Sequence, residues 1–279
     1  MTRTRLLLLV GCWLPSQLAA QDDCYPGAAS HEAKVFAMKS VALAYSVGEA
    51  PGSRGARLGL ELSTVPKVDD VTATPTICRP GKGPEHANLL AVLVRPRIAV
   101  DLPGRVQLDA SWLPPVRVDG VKANLFGFAL QRPTALGSIL TGTVRAHATV
   151  GSIEAPITCP DEALADPGSE CYQGTRSDDR YRPNIFGMEG ILSAALAAGK
   201  FRPYLGVGYS HLAPRFQVNF TNRQGSHDGR RVLVDLTRGT VFGGATWVAA
   251  ARWTLSGEVY ATPADAVTGR LVGRVLLGQ

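Results

Sequence analysis

Hydrophobic and polar residues alternate with a period of two along several segments of the chain. In 104–113, Leu108 and Trp112 share one face, while Gln107 and Asp109 share the other. The same alternation recurs in 57–63, 139–150, 252–260 and 270–277. A period of two is typical of β-strands that have one apolar and one polar face.

Six further segments are candidate strands, and turn signals lie between them: 34–47, 88–101, 121–132, 184–198, 201–220 and 231–248. Within 184–198, the run of alanine and leucine also fits a helix, but the Gly199-Lys200 turn into the next segment favours a strand. The chain contains no fixed repeat and no domain linker. The pattern therefore predicts an all-β, single-domain fold.

The apolar faces of these strands could meet each other in a soluble sandwich or meet lipid in a membrane barrel. Three features favour the barrel: many strands have ten or more residues, aromatic residues lie near strand ends, and the polar faces contain charges. The aromatic residues are Trp112, Phe201, Tyr209, Trp253 and Tyr260. On this interpretation Leu60, Leu108 and Leu255 face lipid.

The charged residues predicted to face the barrel lumen have both signs, which suits a watery or salt-bridged interior. They are Glu61, Arg97, Asp109, Arg145, Glu189, Arg202, Asp235, Arg252, Glu258, Arg270 and Arg274.

Residues 201–211, FRPYLGVGYSH, follow a tight Gly199-Lys200 turn. This arrangement resembles the bacterial outer-membrane β-barrel superfamily, in which an aromatic-Pro-Tyr-x-Gly-x-Gly strand commonly follows a short periplasmic turn. The resemblance implies a single antiparallel transmembrane β-barrel in contact with outer-membrane lipid, inserted by the barrel-assembly machinery. The chain departs from many members at its end, Leu276-Leu277-Gly278-Gln279, which has no aromatic residue.

The strand number is expected to be even, because bacterial single-chain barrels have even numbers of strands. The eleven candidate strands are therefore one strand too few or one strand too many. Twelve strands are the first choice, with 21–32 supplying the extra strand, and ten are the second.

The first twenty residues predict a cleaved signal peptide: Arg3 and Arg5 precede an apolar run, and Leu18-Ala19-Ala20 offers small residues for cleavage. Residues 21–279 then form the barrel domain. The whole chain has 279 residues, a net charge of +6 and 19% charged residues. This basic excess is dispersed, so it does not predict a nucleic-acid partner.

Four cysteines remain after the signal peptide, and an even number in an exported chain favours disulfides. Cys159 and Cys171 flank one polar loop and are the favoured first pair. Counting strands back from the C-terminus places 69–86 and 152–182 outside. Cys24 can then reach Cys78 only if the N-terminal segment crosses the membrane, as a twelfth strand or through the lumen. Cys24–Cys78 is the hypothesis for the second pair.

No catalytic motif, metal-ligand spacing or cofactor motif is present in the sequence. Ser210, His211 and Glu258 could suggest a hydrolase, but adjacent strand residues point to opposite faces, which separates the serine from the histidine. The predicted function is a non-enzymatic outer-membrane barrel, either an envelope structural protein or a passive channel for a small solute. The alternatives are an outer-membrane lipid or peptide hydrolase and a soluble periplasmic β-sandwich binding module.

Overall fold

Ten antiparallel strands form one closed barrel in the computed structural model, which describes residues 23–48 and 55–277. The strands are β1 Ala56–Thr64, β2 Val92–Leu102, β3 Val106–Leu113, β4 Val121–Ala135, β5 Leu140–Ala155, β6 Ile185–Ala194, β7 Phe201–Leu212, β8 Leu236–Ala250, β9 Trp253–Thr262 and β10 Ala266–Leu277. Each strand pairs with its neighbours in sequence, and β10 closes the barrel on β1 with Leu271 opposite Leu62. Closure removes the exposed edges that an open sheet would have.

The expected twelve strands are wrong and the second choice, ten, is right. Ten of the eleven candidate segments form the barrel strands, including 184–198, where β6 occupies Ile185–Ala194. The remaining candidate, 34–47, is not a strand. Its residues 34–43 belong to helix α1, His31–Leu43, which lies inside the ring of strands. Segment 21–32 supplies only the two-residue strand Asp23–Cys24 within the described residues.

The outer surface of the barrel is an apolar belt. Leu60, Leu108 and Leu255, predicted to face lipid, are 50%, 37% and 41% exposed. They are joined by outward-facing apolar residues from the other strands: Leu58, Leu62, Val94, Ile98, Phe126, Phe128, Leu130, Val144, Phe186, Met188, Leu192, Leu205, Val207, Val241, Val259, Val267 and Leu271. An exposed apolar surface that encircles a molecule favours contact with lipid.

The aromatic residues do not all lie on this belt. Trp112, Phe201, Tyr209 and Trp253 are exposed, as expected at membrane interfaces. Tyr260 is fully buried and stacks on Phe242 inside the barrel. Its position follows from the period of two, since it shares the inward face of β9 with Glu258.

All the long connections lie at one end of the barrel. Short turns at 103–105, 136–139, 195–200 and 251–252 define the inner end. The outer end has the long loops 65–91, 156–184 and 213–235 and the shorter connections 114–120 and 263–265. Bacterial barrels have short periplasmic turns and long external loops, so the outer end faces outside. No helix within residues 23–48 and 55–277 has the length and hydrophobicity needed to cross a bilayer.

The outer end is covered by a small extension of the barrel sheet. Its strands are Asp179–Arg182, Arg215–Gln217, Arg231–Leu233 and Asp23–Cys24, and the first pairs with the outer end of β5. β5 pairs with β6 only up to Thr149, then pairs with Asp179–Arg182 while it stays paired with β4. Gly151, between these two regions, has a φ of +123°, and a Cβ there would collide with the Asn124 carbonyl oxygen. We call this extension of the sheet, together with the three long loops, the outer cap.

Candidate functional site: a plugged lumen

Helix α1 enters the barrel from the outer cap and fills the outer half of its interior. Ser30 caps the helix by accepting a hydrogen bond from the Ala33 backbone N–H. Phe36 then packs on Tyr181 and Phe216 of the outer cap. After the helix, residues 44–48 continue through the lumen, where Ala44, Tyr45, Ser46 and Val47 are buried. We call residues 31–48 the plug.

Arginines from three strands hold the plug by its backbone carbonyl oxygens. Arg95 donates to Leu43 and Ala44 at 3.3 Å each, and Arg97 donates to Tyr45 at 3.2 Å and Ser46 at 3.1 Å. Three more contacts complete the set: Arg145 to Gly48 at 2.8 Å, Arg270 to Val41 at 2.6 Å and Arg274 to Val47 at 3.2 Å. These bonds satisfy carbonyl groups that have no strand or helix partner.

Carboxylates bind the plug from other sides of the lumen. Glu258 accepts from the Ser46 hydroxyl at 2.5 Å and from the Val47 backbone N–H at 3.0 Å. Asp109 accepts from the Tyr45 hydroxyl at 2.6 Å. Charged side chains therefore bind the carbonyl oxygens of residues 45–48 and the backbone N–H groups of Val47 and Gly48, which makes these hydrogen bonds stronger than neutral ones.

The same side chains form ion pairs across the strands. Glu61 accepts from Arg95 at 2.7 Å and Arg97 at 2.9 Å, and Arg145 donates to Glu189 at 2.9 Å. Among the described residues, the buried lumen side chains include six arginines and four carboxylates: Arg57, Arg95, Arg97, Arg145, Arg270, Arg274, Glu61, Asp109, Glu189 and Glu258. Arg57 pairs with the half-buried Asp101 at 2.7 Å. The plug carbonyls supply acceptors for the surplus guanidinium groups, which would otherwise be costly to bury.

Glycines on the lumen face make space for bulky side chains. A Cβ on Gly127 of β4 would lie 2.4 Å from Ser111 Oγ and 3.0 Å from Tyr45 Cε2 of the plug. A Cβ on Gly206 would lie 2.3 Å from the Phe242 ring, and this residue belongs to the motif at 201–211. The two glycines thus leave the space that the Tyr45 and Phe242 side chains occupy.

The structure places eight of the eleven predicted lumen charges on the buried inner face: Glu61, Arg97, Asp109, Arg145, Glu189, Glu258, Arg270 and Arg274. The other three lie elsewhere. Asp235 precedes β8 and pairs with Arg215 at 3.0 Å in the outer cap. Arg252 is exposed in the turn between β8 and β9, because β8 extends to Ala250. Arg202 is half-buried at the inner end and bonds the Gly199 carbonyl oxygen.

Two disulfides lie in the outer cap. Cys24 bonds Cys78 and Cys159 bonds Cys171, the same pairings that the topology favoured. Cys24 reaches Cys78 because the N-terminal segment passes through the lumen, one of the two routes considered. The plug is consequently joined to the outer cap before α1.

Glu32 attaches the loop 65–91 to the start of α1. Its carboxylate accepts from the backbone N–H groups of Thr76, Ile77 and Cys78 at 3.1, 2.9 and 2.9 Å. Burial raises the pKa of Glu32, but the hydrogen bonds from Cys78 and Ile77 outweigh it and hold this pKa below its ordinary value. Glu32 is therefore bound as the carboxylate.

Comparisons with known proteins give only structural matches. No family model matches the sequence, and no curated protein matches it. Ail of Yersinia pestis, the attachment invasion locus protein, is 8% identical, with a TM-score of 0.28 over 80% of this chain and 99% of that one. Neisserial surface protein A is 11% identical, with a TM-score of 0.29 over 81% of this chain and 100% of that one. The toluene transporter TodX of Pseudomonas putida is 11% identical, with a TM-score of 0.30 over 82% of this chain and 69% of that one.

Because these TM-scores are low, the assignment rests on the barrel itself: ten strands closed into a ring, an apolar belt outside and buried charges inside. The protein is a closed β-barrel of the transmembrane type. The closed ring of strands also excludes the soluble β-sandwich alternative.

Among the described residues, Ser210, His211 and Glu258 do not come together as a hydrolase site, while His147 Nε2 lies 3.8 Å from Glu189 Oε1. Ser210 is buried in the lumen, while His211 lies exposed on the outer face. The register brings Ser210 opposite Gly187, which lies opposite His147 on the next strand. Neither ring nitrogen of His147 has a hydrogen-bond partner among the described residues, nor does Ser210 Oγ. Within the same residues, no three His, Cys, Asp or Glu side chains form a metal site.

Arg95, Tyr45 and the helix of the plug were not predicted from the sequence, although passage of the N-terminal segment through the lumen was one of the two routes considered. Arg95 and Arg97 are two residues apart in β2 and therefore face the same side, so the period of two was sufficient to predict Arg95 as a lumen residue. The plug had a weaker signal: Ser30 followed by Glu32 is an N-terminal helix signature before an alanine-containing run.

Proposed function

We propose that this protein is a non-enzymatic envelope barrel whose lumen is closed by its own N-terminal segment. One observation carries the proposal: five lumen arginines donate to the carbonyl oxygens of residues 41–48. A channel lumen needs charges that water or solute can reach, and these charges are bonded to protein. This arrangement favours a structural role with interactions through the outer cap over passive solute passage.

The proposal includes the route to the membrane. Residues 1–20 act as the export signal, and the barrel-assembly machinery inserts the folded chain, as the resemblance to outer-membrane barrels implies. Lipid at the apolar belt is the constant partner of the folded protein.

Planar-bilayer conductance of the refolded protein tests the closed state. The wild type should add no steady conductance. A variant whose residues 31–48 are replaced by a glycine-serine linker of equal length should give steps, because the arginine-lined lumen is then open to water. Heat-dependent mobility on unboiled gels verifies that both barrels have folded. Steady wild-type conductance equal to that of the linker variant would favour the passive channel instead.

A further inference from the structure

An apolar cavity of about 160 Å³ lies at the outer end of the barrel, beside the plug. Its walls come from α1, the loop 65–91, the outer ends of the strands and the outer cap. Representative lining residues are Val35, Phe36, Leu89, Leu93, Ile153 and Phe216. A cavity of about 150 Å³ lined by such side chains accepts benzene, so this one has room for a single ring or a short alkyl chain.

One charged group of the cavity has no charged partner. Lys39 of α1 lines the cavity, and its Nζ donates to the carbonyl oxygen of Pro66 at 2.8 Å and to Asn88 Oδ1 at 3.1 Å. No carboxylate among the described residues forms an ion pair with it. An ammonium group has three N–H donors, so one remains for a ligand.

The two acidic side chains of the cavity are bound elsewhere. Glu32 accepts from the backbone of 76–78, and Glu85 pairs with Lys82 at 2.7 Å and Arg79 at 3.4 Å. The cavity therefore presents an uncompensated positive charge beside an apolar space. Burial lowers the pKa of Lys39 to about 8, which reflects the cost of an ammonium without a counter-ion there.

We propose that this cavity binds a small apolar monocarboxylate. Its ring or alkyl tail lies among the apolar lining, and its carboxylate accepts from Lys39 Nζ. Burial of the tail supplies affinity, and the charged hydrogen bond selects an acid over a neutral analogue. The half-buried loop residues Ala87, Leu89 and Leu90 form the side of the cavity from which the ligand enters.

Val35, Phe36 and Lys39 of the plug line this site, so it requires α1 to be in place but does not require residues 44–48 to seal the lumen. Steady wild-type conductance together with retained phenylacetate binding would contradict the proposed function and leave the site intact. Binding and conduction are thus tested separately.

Calorimetric titration of the refolded full chain tests the site with phenylacetate, 2-phenylethanol and acetate. Phenylacetate should bind saturably at one per chain, the alcohol more weakly and acetate not at all. Lys39→Met should lower the affinity for phenylacetate about ten-fold or more and leave that for the alcohol unchanged. Lys34→Met is the matched control, because Lys34 is exposed on the same helix, and it should change neither affinity.

A second variant tests the apolar part. Ala87→Phe should abolish binding of both aromatic probes by filling the cavity, while the heat-dependent gel shift shows that the barrel is folded. Absence of saturable wild-type binding would overturn the proposal. Binding that survives both Lys39→Met and Ala87→Phe would place the ligand elsewhere, in the micelle or at another surface. Equal losses of acid and alcohol in Lys39→Met would remove the carboxylate assignment.

Discussion

At the scale of single residues, Arg97 joins the barrel wall to the plug. Its guanidinium donates to Glu61 and Asp109 from neighbouring strands, and to the carbonyl oxygens of Tyr45 and Ser46. It also lies 4.4 Å from the centre of the Tyr45 ring. Such a group is fully bound only when both the strands and the plug are in place, so the folding of one favours the other.

Substitution of Leu60 tests whether the outward face of β1 meets lipid at the middle of the strand. Leu60→Arg should lower the free energy of unfolding by about 2–4 kcal/mol, since it places a charge in the hydrocarbon region. Leu277→Arg is the matched control, because Leu277 also faces outward but lies at the inner end of β10, opposite Ala56. Leu277→Arg should lower the free energy of unfolding by only about 0–1 kcal/mol. Denaturant titration in lipid vesicles measures both, and equal costs would mean that Leu60 does not face the membrane centre.

Glu32 gives a pH dependence whose sign follows from its lowered pKa. A carboxylate with a lowered pKa in the folded state stabilises that state above its unfolded pKa, about 4.3. This stabilisation disappears as the pH falls through the lower folded value. Glu32→Gln should therefore speed amide exchange at Ile77 and Cys78 at neutral pH, by about 1–2 kcal/mol of opening free energy. The difference from wild type should vanish below the folded pKa, and a difference that grows with acid would contradict it.

At the scale of elements, segment 34–47 shows where sequence analysis stopped being sufficient. The segment is mostly apolar, and Lys34, Lys39, Ser40 and Ser46 are its polar residues, so it shows neither a clear period of two nor one polar helical face. The segment forms a helix because α1 is enclosed by the barrel and the outer cap, so apolar residues occur on several of its faces. Enclosure removes the one-sided periodicity by which a surface helix is recognised.

Gly127 tests how closely β4 and the plug fit. Gly127→Leu should displace Tyr45, lower the free energy of unfolding by about 1–3 kcal/mol and open the lumen partially to ions. Gly190→Leu is the control, because a Cβ at this exposed glycine meets no atom within 4 Å. Denaturant titration and bilayer conductance measure the two effects. Equal behaviour of the two variants would show that the plug does not contact β4.

At the scale of the whole molecule, the barrel could be predicted from sequence, whereas a filled lumen was only one of two routes left open for the N-terminal segment. The period of two placed Leu60 outside and Glu61 inside, since strand geometry alone decides which face a residue joins. Arg97 and Arg145 bind carbonyl oxygens of the plug. Because every residue has a backbone carbonyl group, the sequence does not show which residues are the partners of these arginines. The strand number depended on recognising that 34–47 lies within the ring instead of belonging to it.

The central claim is that residues 44–48 pass through a closed lumen, and cysteine labelling tests it most directly. The experiment uses residues 21–279, which lack Cys12. The other four native cysteines, Cys24, Cys78, Cys159 and Cys171, are disulfide-bonded, so a single new thiol is the reactive group. In proteoliposomes treated with a bulky, membrane-impermeant maleimide from both sides, Ala28→Cys, exposed in the outer cap, should react completely. Ser46→Cys, fully buried between Arg97 and Glu258, should remain unlabelled until the barrel is unfolded. Labelling of Ser46→Cys at the rate of Ala28→Cys would contradict the plugged lumen.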